Sequence, residues 1–434
     1  MSFGITSTTQ YDLKTITIIT KYGNYDIRGV FSELNLFDSI LQPCISGNIV
    51  IVDSLGLNHA FKFDGTELLK IEASKDEDNL SIQKFFRIYK ESGRKTNNMN
   101  SETYVLHFVS NDFVFSQQQT LNNAYSSSYG EIAKSILENK LKLKEDNFLV
   151  EQTSGVRKVV IPNLKPMEAL VWCSKRAVNE LNLSNFLFFE NLGGYRFVSL
   201  STMKKQEPIM NVFFEPKNIG ESIGREFFGA RDLKVISQFD YLDNLMSGVY
   251  SGTFIGFDPI TRIIIEQPIT FDDIFKDEKM NNSVNYARDV NIDDYLNTEM
   301  IGSRRISFPA EIARQNAQYL TQNDKKSLNL KESPEYFVLQ RRAILKQLFA
   351  QRIKISLPGN FLITSGVTLN ILKQKSSYYD ENENVDSSLF GKYLVVATRH
   401  ILQDNKHETI LELVTDSKQF DENSPVIRIK EATK

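Results

Sequence analysis

The sequence predicts a mainly β protein with α+β insertions, built around two similar antiparallel β-barrel tube domains. Two phrases carry this prediction: FKFDGTELLKIEA, which begins at Phe61, and GNFLITSGVTLNIL, which begins at Gly359. In each phrase a glycine, Gly65 or Gly366, precedes a strand pattern of the form Leu-x-Ile. A single match of this kind arises by chance, so the prediction depends on whether the following segments also repeat.

The following segments do repeat. FFRIYKE and TYVLHFVSND come after the first phrase, whereas GKYLVVATRHI and HETILELVTDS come after the second. Both copies read as strand, polar excursion, strand, turn and strand. We interpret them as a duplicated domain rather than a short-period solenoid. The alternative is two unrelated β-meanders.

Length and composition agree with several globular domains. The 434 residues exceed what one core organises, which predicts two to four domains. Hydrophobic residues make up 41% of the chain, which excludes general disorder. The 30 Phe and 17 Tyr residues are typical of sheet-rich proteins. A net charge of −3 argues against a dedicated nucleic-acid binder, because such proteins need a concentrated basic surface.

The sequence carries no recognisable targeting segment. MSFGITSTTQYDLKT lacks the basic start and apolar core of a secretory signal. No apolar run approaches the roughly 20 residues that cross a bilayer. Cys44 and Cys173 lie too far apart to indicate a metal spacing or a disulfide framework. We therefore expect a soluble protein that is made in a cytosol.

The first half of the chain divides into two predicted domains. Residues 1–114 form the first tube-like β-barrel, as in TITIITKYG, where Ile and Thr alternate at strand spacing. Residues 115–206 form an inserted α+β domain. Its signals are a capping box between Ser128 and Glu131, a helix that begins at Pro166, and a hairpin with Gly193-Gly194 as its turn.

The second half is predicted to contain an interrupted barrel. A helix from Ser333 to Ala350 is capped by Ser333, with Pro334 at its first position. A shorter helix is expected after Pro309. The predicted divisions are a second tube-like barrel at 207–245 and 346–418, a second insertion with β and helical segments at 246–345, and a C-terminal arm at 419–434.

The histidines are candidate metal ligands. The chain has four, His59, His107, His400 and His407. If Asp404-Asn405 is a two-residue turn, Leu402 faces His407 and His400 lies diagonally on the same face. A zinc site needs three or four ligands, and no third is evident. The pattern therefore favours ordinary strand histidines.

Other catalytic patterns are also weak. Cys173 lies on an apolar helix face and Cys44 follows a proline in a turn, so both are expected to be inert. No nucleophile elbow, Walker loop or dinucleotide fingerprint occurs, and no spacing singles out two of the 54 acidic residues. Arg341, Arg342 and Lys346 are predicted to form a solvated helix face, and the alternative is contact with phosphate or with a partner's acidic patch. We predict no catalytic residue, no cofactor and no metal.

Two closing strands are apolar on both faces. In GKYLVVATRHI, Tyr393 and Val395 alternate with Leu394 and Val396, and TILELVTD shows the same pattern. An antiparallel sheet usually has one polar face that meets water. We expect these strands to be covered by another chain. The alternative is that the helix from Ser333 to Ala350, or the inserted modules, cover them.

The order of these segments resembles the central baseplate hub subunit of T-even-like contractile-tailed bacteriophages, and more distantly the hub portion of VgrG spike proteins. The resemblance spans about residues 10–418. It is carried by SGNIVIVDS and FDGTELLKIEA, by IPNLKPMEALVWCSKRAV and FLFFENLGGYRFVSL, by RRAILKQLFAQRIKISLPGNFLITSGVTLNI, and by GKYLVVATRHI with HETILELVTDS. Segment 273–330 is longer than the family pattern.

The resemblance implies a structural protein of the virion tail baseplate, assembled in the host cytoplasm. Three chains with two tube domains each would form a pseudo-sixfold ring that joins the tail tube to a trimeric cell-puncturing spike and lets the genome pass. The implied partners are further copies of the chain, the spike or tail lysozyme protein, the tube or tube-initiator protein, the tape measure protein, and viral DNA without specific binding. No membrane span is implied.

Other functions stay open from the sequence alone. One is the hub of a type VI-like or other contractile injection system. Another is a peptidoglycan-degrading tail enzyme, which would need a catalytic carboxylate. A third, a nucleic-acid-binding β protein, is opposed by the near-neutral charge and by the lack of a basic and aromatic surface motif.

Overall fold

The structure is a computed structural model. It describes residues 11–57, 63–74, 81–98, 101–214, 229–230, 232–238, 240–258, 263–270, 278–281, 304–309, 337–373, 389–403 and 406–417.

The first half of the chain contains twelve described strands. They are β1 (Asp12–Thr20), β2 (Gly23–Asp26), β3 (Phe31–Ser39), β4 (Ser46–Asp53), β5 (Leu68–Ser74), β6 (Ser81–Asn98), β7 (Ser101–Ser110), β8 (Ala124–Ser127), β9 (Phe148–Val150), β10 (Arg157–Val160), β11 (Phe186–Asn191) and β12 (Gly194–Ser199). The helices of this half are α1 (Asn111–Gln117), α2 (Tyr129–Asn139), α3 (Pro166–Ser174) and α4 (Leu200–Lys205), with a 3-10 turn at Glu145–Asn147.

The second half contributes nine described strands. They are β13 (Asn211–Phe214), β14 (Asp232–Ser237), β15 (Ser251–Asp258), β16 (Ile263–Thr270), β17 (Arg304–Pro309), β18 (Gln351–Pro358), β19 (Thr368–Lys373), β20 (Gly391–Gln403) and β21 (Lys406–Thr415). The helices are α5 (Tyr241–Ser247) and α6 (Phe337–Leu348). The prediction of a mainly β chain with α+β insertions is confirmed.

Two sets of strands share one pairing order. The first repeat, β1 to β7, pairs as β3-β4-β7-β6-β5-β1-β2. The second repeat, made of β13, β14 and β18 to β21, pairs as β14-β18-β21-β20-β19-β13. Thus β14, β18, β21, β20 and β19 stand where β3, β4, β7, β6 and β5 stand in the first repeat. One difference is that β13 runs parallel to β19, whereas β1 runs antiparallel to β5.

The glycines that suggested the duplication have the same backbone conformation. Gly65 and Gly366 both have φ near +88°, the left-handed region that favours glycine. A backbone hydrogen bond just after each glycine is also shared. Ile88 N donates to Glu67 O at 3.1 Å, and Val395 N donates to Val367 O at 2.9 Å. Each glycine therefore ends a turn that starts an equivalent strand pair.

A β-bulge repeats at the same place in both copies. In the first repeat the register of β6 on β7 shifts between Ile88 and Lys90. In the second repeat the register of β20 on β21 shifts between Val395 and Ala397. Bulges re-aim a strand at a fixed point, so a shared bulge is stronger support for duplication than shared apolar spacing.

Each repeat has its own buried core. Among the described residues, the first core contains 21 buried side chains, including Ile16, Leu34, Phe86 and Phe108, and also Phe361 and Leu402 from the second half of the chain. The second contains Val212, Ile353, Leu369, Tyr393 and Leu411, among others. The alternating strand pattern places these side chains on the covered face of each sheet.

The first insertion has the helices that the sequence predicts. Ser128 and Glu131 form the capping box of α2, and Pro166 is the first residue of α3. The predicted hairpin also forms, as β11 and β12, but its turn is Leu192-Gly193 and not Gly193-Gly194. Gly194 is the first residue of β12, where a Cβ atom would collide with the backbone of Asn147. Both this close approach and the backbone conformation of Gly194, with φ +113°, therefore require a glycine.

The second insertion contains α5, α6 and a separate sheet in the order β16-β15-β17. The predicted cap residues Ser333 and Pro334, and the short helix predicted after Pro309, lie outside the described residues. The predicted domain boundaries stay predictions, although the core of the second repeat combines residues from 212–230 with residues from 353–413.

The expectation that another chain covers β20 and β21 is wrong. Tyr393 and Val395 pack in the core of the second repeat. Leu394, Val396 and Val414, on the opposite face, pack in a third core with the apolar side chains Ala343, Ile344 and Leu348 of α6. The chain covers both faces itself, which is the alternative that the sequence left open.

We expect Gly366→Ala to destabilise the protein more than Gly65→Ala. Both changes put a side chain at φ +88°, at a backbone cost of about 1–2 kcal/mol. At Gly366 the new Cβ also lies 2.8 Å from Phe189 Cζ, whereas at Gly65 the nearest atom is Ile88 O at 3.9 Å. Overpacking should add about 1–3 kcal/mol at Gly366 alone. Urea unfolding of both variants measures the difference, and equal losses would contradict it.

Candidate assembly interface

The two repeats are joined by one pair of strands, β3 and β20, which we call the inter-repeat joint. They run antiparallel, from Ala397 opposite Ser39 to Gln403 opposite Glu33. The joint connects one outer strand of the first repeat to the end of β20 that extends beyond β19. It merges both repeats into a 13-stranded sheet, so an edge-to-edge contact between equivalent units is already present within the chain.

A buried carboxylate lies in the joint. Asp38 on β3 stands opposite Thr398 on β20 and accepts hydrogen bonds from the hydroxyls of Thr398 and Thr364. Ser365 N donates to it as well, at 3.3 Å. Burial raises the pKa of Asp38 from 3.8 to about 6, and these donors and the charge of Lys84 only partly oppose the rise. Sequence reasoning missed this residue because a single Asp within a strand carries no signal.

The two histidines singled out in the sequence also meet at the joint. Leu402 is opposite His407, as the turn argument predicted, and His400 Nδ1 lies 3.1 Å from His407 Nε2. Phe361 stacks on His407 with ring centroids 4.2 Å apart. Burial lowers the pKa of His400 to about 4, so this ring is neutral at pH 7.

The described residues offer no metal site around these rings. They contain no group of three or more His, Cys, Asp or Glu side chains placed to hold an ion. His107 is elsewhere, on β7, with Nε2 2.7 Å from Ser92 Oγ, and His59 lies outside the described residues. The buried pair packs against Phe361 and joins the second repeat to the first core.

The opposite face of the joint has polar contacts between its strands. Arg399 Nε donates to Asn35 Oδ1 at 2.9 Å, and its Nη2 lies 3.4 Å from Glu33 Oε1. Asn35 also donates to Asn48 Oδ1 at 2.9 Å. These contacts cross from β20 to β3 and then to β4, so the joint is held by side chains on both faces of the sheet.

Glu190 fastens the first insertion to the first repeat. This buried carboxylate on β11 accepts from Lys84 Nζ at 2.8 Å, from Ile45 N at 3.0 Å and from the Ser110 hydroxyl. Lys84 also donates to Asn191 O at 3.0 Å. A buried ion pair is favourable only when its remaining hydrogen bonds are made, and here they are.

A second buried pair fastens the first insertion to the second repeat. Lys204 Nζ, on α4, lies 2.6 Å from Asp416 Oδ2, with 4% and 1% of the two side chains exposed. Asn281 adds further bonds beside this pair, since it accepts from Lys392 N at 2.9 Å and donates to Ser417 O at 2.9 Å. The end of β21 is thus held by both insertions.

The prediction of a solvated basic face on α6 is wrong for Arg341. Its Nη1 donates to Phe186 O at 2.8 Å and to Ser174 O at 3.2 Å, both in the first insertion. Burial lowers the pKa of Arg341 to about 10, so the group stays charged at pH 7. Lys346 pairs with the exposed Asp243 on α5. The helical spacing of these basic residues does not indicate that Arg341 contacts the first insertion.

A cleft of about 450 Å³ lies between the first repeat and the hairpin β11–β12. Its lining includes Glu190 and Asp112, and Tyr195 Oη donates to Asp112 Oδ2 at 3.3 Å. Burial raises the pKa of Asp112. Both carboxylates thus have structural partners. The thiols are buried too, and burial raises the pKa of Cys44 and of Cys173 to about 12, which disfavours the nucleophilic thiolate.

We expect Asp38→Asn to change how stability depends on pH. A folded pKa above the unfolded value means that the stabilising contribution of Asp38 is complete below about pH 4 and is lost as pH rises through 6. The free energy of unfolding of Asp38→Asn, relative to the natural chain, should therefore rise by about 2 kcal/mol between pH 4 and pH 7. Chemical denaturation at several pH values measures this difference.

His400→Gln is the matched control for that experiment. The pKa of His400 is lowered, so its contribution is present above about pH 6.5 and is lost as pH falls towards 4. The difference between His400→Gln and the natural chain should thus have the opposite slope. Equal slopes for both variants would contradict the assignment of these two groups.

We expect Lys84→Met to cost about 3 kcal/mol of unfolding free energy, because it leaves the buried charge of Glu190 without its cation. Thermal or urea unfolding measures the loss. Combining Lys84→Met with Glu190→Gln should recover part of it, since the unpaired charge is then gone. Lys134→Met, which removes an exposed pair with Glu145, should change little. A double variant less stable than Lys84→Met would contradict this view of the pair.

Known proteins match this chain in structure but not in sequence. No protein-family model matches the chain, and no curated protein matches its sequence. Within the described residues, no helix has the length and apolar character to cross a bilayer.

Two solved structures with a similar fold are tail proteins. A tail protein from Neisseria meningitidis MC58 matches with a TM-score of 0.54 at 11% identity, covering 94% of this chain and 97% of that chain. The 43 kDa tail protein of prophage MuSo2 from Shewanella oneidensis matches with a TM-score of 0.50 at 10% identity, covering 93% and 100%. The E. coli c3393 protein, a type VI secretion component, matches at 0.42 and 8% identity, covering 91% and 74%. The chain therefore shares its fold with the first two tail proteins over nearly its whole length.

Proposed function

We propose that the protein is the structural hub of a contractile tail baseplate. Three copies form a ring with six similar β units, which joins the tail tube to a trimeric cell-puncturing spike and leaves a passage for the genome. The observation that carries this proposal is the inter-repeat joint, in which two equivalent units of one chain are already joined edge to edge.

The joint is a head-to-tail contact. It uses different edges of the two units, β3 of the first repeat and β20 of the second, and β20 is the equivalent of β6 rather than of β3. A contact between unlike surfaces can be repeated from unit to unit, and it closes into a ring when the rotation at each step allows. Two units per chain and three chains give six units.

The insertions reduce the symmetry of the ring from sixfold to threefold, because the two insertions of one chain differ. The first repeat is followed by α1 to α4 and the hairpin β11–β12, whereas the second repeat is interrupted by α5, α6 and the sheet β16-β15-β17. Six similar β units suit a sixfold tube, and two unlike insertions per chain suit a threefold spike. This is the division that a symmetry adapter needs.

The partners follow from that arrangement. They are further copies of the chain, the spike or tail lysozyme protein, the tube or tube-initiator protein, the tape measure protein, and DNA that passes without specific binding. The shared fold with two tail proteins supports a place in the virion tail, with assembly in the host cytoplasm and a role in host cell entry. The hub of a type VI-like injection system would use the same geometry.

The role is structural rather than enzymatic. The buried carboxylates Asp38, Glu190 and Asp416 bridge repeats and insertions, and both thiols are buried inside modules. Each of these groups is held by contacts that explain its burial.

Native mass spectrometry of the purified chain tests the ring. We expect a main species of three times the 49.8 kDa chain mass, because two units per chain complete six positions with three chains. Averaged electron micrographs of that species should show six density maxima around a hole. A strict monomer, both alone and mixed with its spike, would overturn the proposal.

A further inference from the structure

Two strand edges in the described part of the chain match the two edges of the inter-repeat joint. The first is the outer edge of β14, which ends the large sheet and pairs with β18 on its other side. The second is the end of β6 around Ser92–Thr96, because β5 pairs with β6 over Ser81–Arg87 and stops there. Neither edge has a described strand beside it.

These edges are equivalent to β3 and to the end of β20. Ile88 and Val395 are equivalent, because each is the last paired residue before the shared bulge. Four residues further along each strand lie Ser92 and Arg399, which are therefore counterparts. Their partners on the neighbouring strands are Val105 and Ile410. Likewise β14 pairs with β18 as β3 pairs with β4, so Leu233 corresponds to Leu34, and Ser237 to Phe37. In the joint, Arg399 stands opposite Phe37. By equivalence Ser92 should stand opposite Ser237.

Each edge has a bulge of one extra residue, and the two bulges lie at equivalent positions along the strands. In β14 the register on β18 shifts between Val235 and Ser237, so Ile236 is extra. In β6 the register on β7 shifts between Ser92 and Lys95, so Gly93-Arg94 takes the place of one residue, and Gly93 has φ +65°. Both shifts fall where the joint has the single pair His400–Leu36. The two bulges therefore face each other, and the two edges keep equal lengths.

We propose that β14 of one copy pairs antiparallel with the Ser92–Thr96 edge of a second copy, with Ser92 opposite Ser237 and Thr96 opposite Leu233. This inference rests on the proposed ring and names its contact. Val235 and Ile236 on β14 are 41% and 44% exposed. An open strand edge with apolar side chains is a template for pairing with another chain, so the proposed contact accounts for this exposure.

The contact between copies differs from the joint within the chain in one respect. Equivalence places Lys95 opposite Lys234, where the joint has Ile401 opposite Asn35. Like charges directly opposite each other on neighbouring strands are unfavourable, so this pair weakens the contact. The ring should therefore assemble more tightly when salt screens the two lysines.

Disulfide trapping tests the register. Ser92→Cys combined with Ser237→Cys should give a covalent trimer on a non-reducing gel after mild oxidation, and a mixture of the two single variants should give a covalent dimer. Directly opposite residues bring their Cβ atoms close enough for a disulfide. Ser92→Cys with Asp232→Cys is the matched control and should not cross-link, since Asp232 lies several residues along the strand. Cys44 and Cys173 are buried, so they should not interfere.

A charge exchange tests the same contact without cysteines. Lys234→Glu should lower the concentration at which half the trimer dissociates by up to about tenfold, since an opposite-charge pair replaces a repulsive one at each of the three contacts. Adding Lys95→Glu should reverse the gain. A trimeric mass in which the Ser92→Cys, Ser237→Cys variant does not cross-link, or in which the control variant cross-links instead, would overturn the register and leave the ring standing. A monomeric mass would overturn both.

Discussion

The pairing of β3 with β20 is the constraint on which the rest of the structure depends. It is the place where the two repeats become one sheet. The pairing also extends beyond the backbone. Phe361 and Leu402, from the second half of the chain, complete the core of the first repeat, so the units cannot be separated without exposing apolar surface.

The insertions stabilise this joint, because their side chains contact both repeats. One buried pair, Lys84–Glu190, fixes the first insertion to the first repeat, and another, Lys204–Asp416, fixes it to the second. Arg341 then joins α6 to the same insertion. Such pairs are sensitive to geometry, because a buried charge that loses its partner is costly. They therefore favour one relative arrangement of the modules.

Much of the fold could be predicted from local pattern. The duplicated glycines, the strand spacing, the capping box of α2 and the position of Leu402 opposite His407 all follow from short-range rules, and the structure has them. The joint could not be predicted in this way, since nothing in β3 indicates a partner 360 residues away.

The same limit explains the wrong expectations. An apolar strand face indicates that something covers it, but not whether the cover comes from the same chain, and here α6 supplies it. A basic residue on a helix pattern indicates a polar position, but Arg341 reaches the carbonyls of another module. The candidate interface lies at bulges and strand ends, where register depends on partners rather than on periodicity.

The sequence separation across the joint has a consequence for biogenesis. The core of the first insertion, and most strand pairs of the first repeat, involve only the first 205 residues, so they can form while the ribosome is still producing the remainder. Phe361 and Leu402 join the core of the first repeat later. During that time the edges of β3 and β13 lack their partner strands, because β20 and β19 are synthesised later. Nascent chains that wait side by side can exchange the late hairpin β20–β21, a domain swap that would tie neighbouring protomers together. Slow, non-local pairing of this kind favours production at low chain density or with chaperone protection.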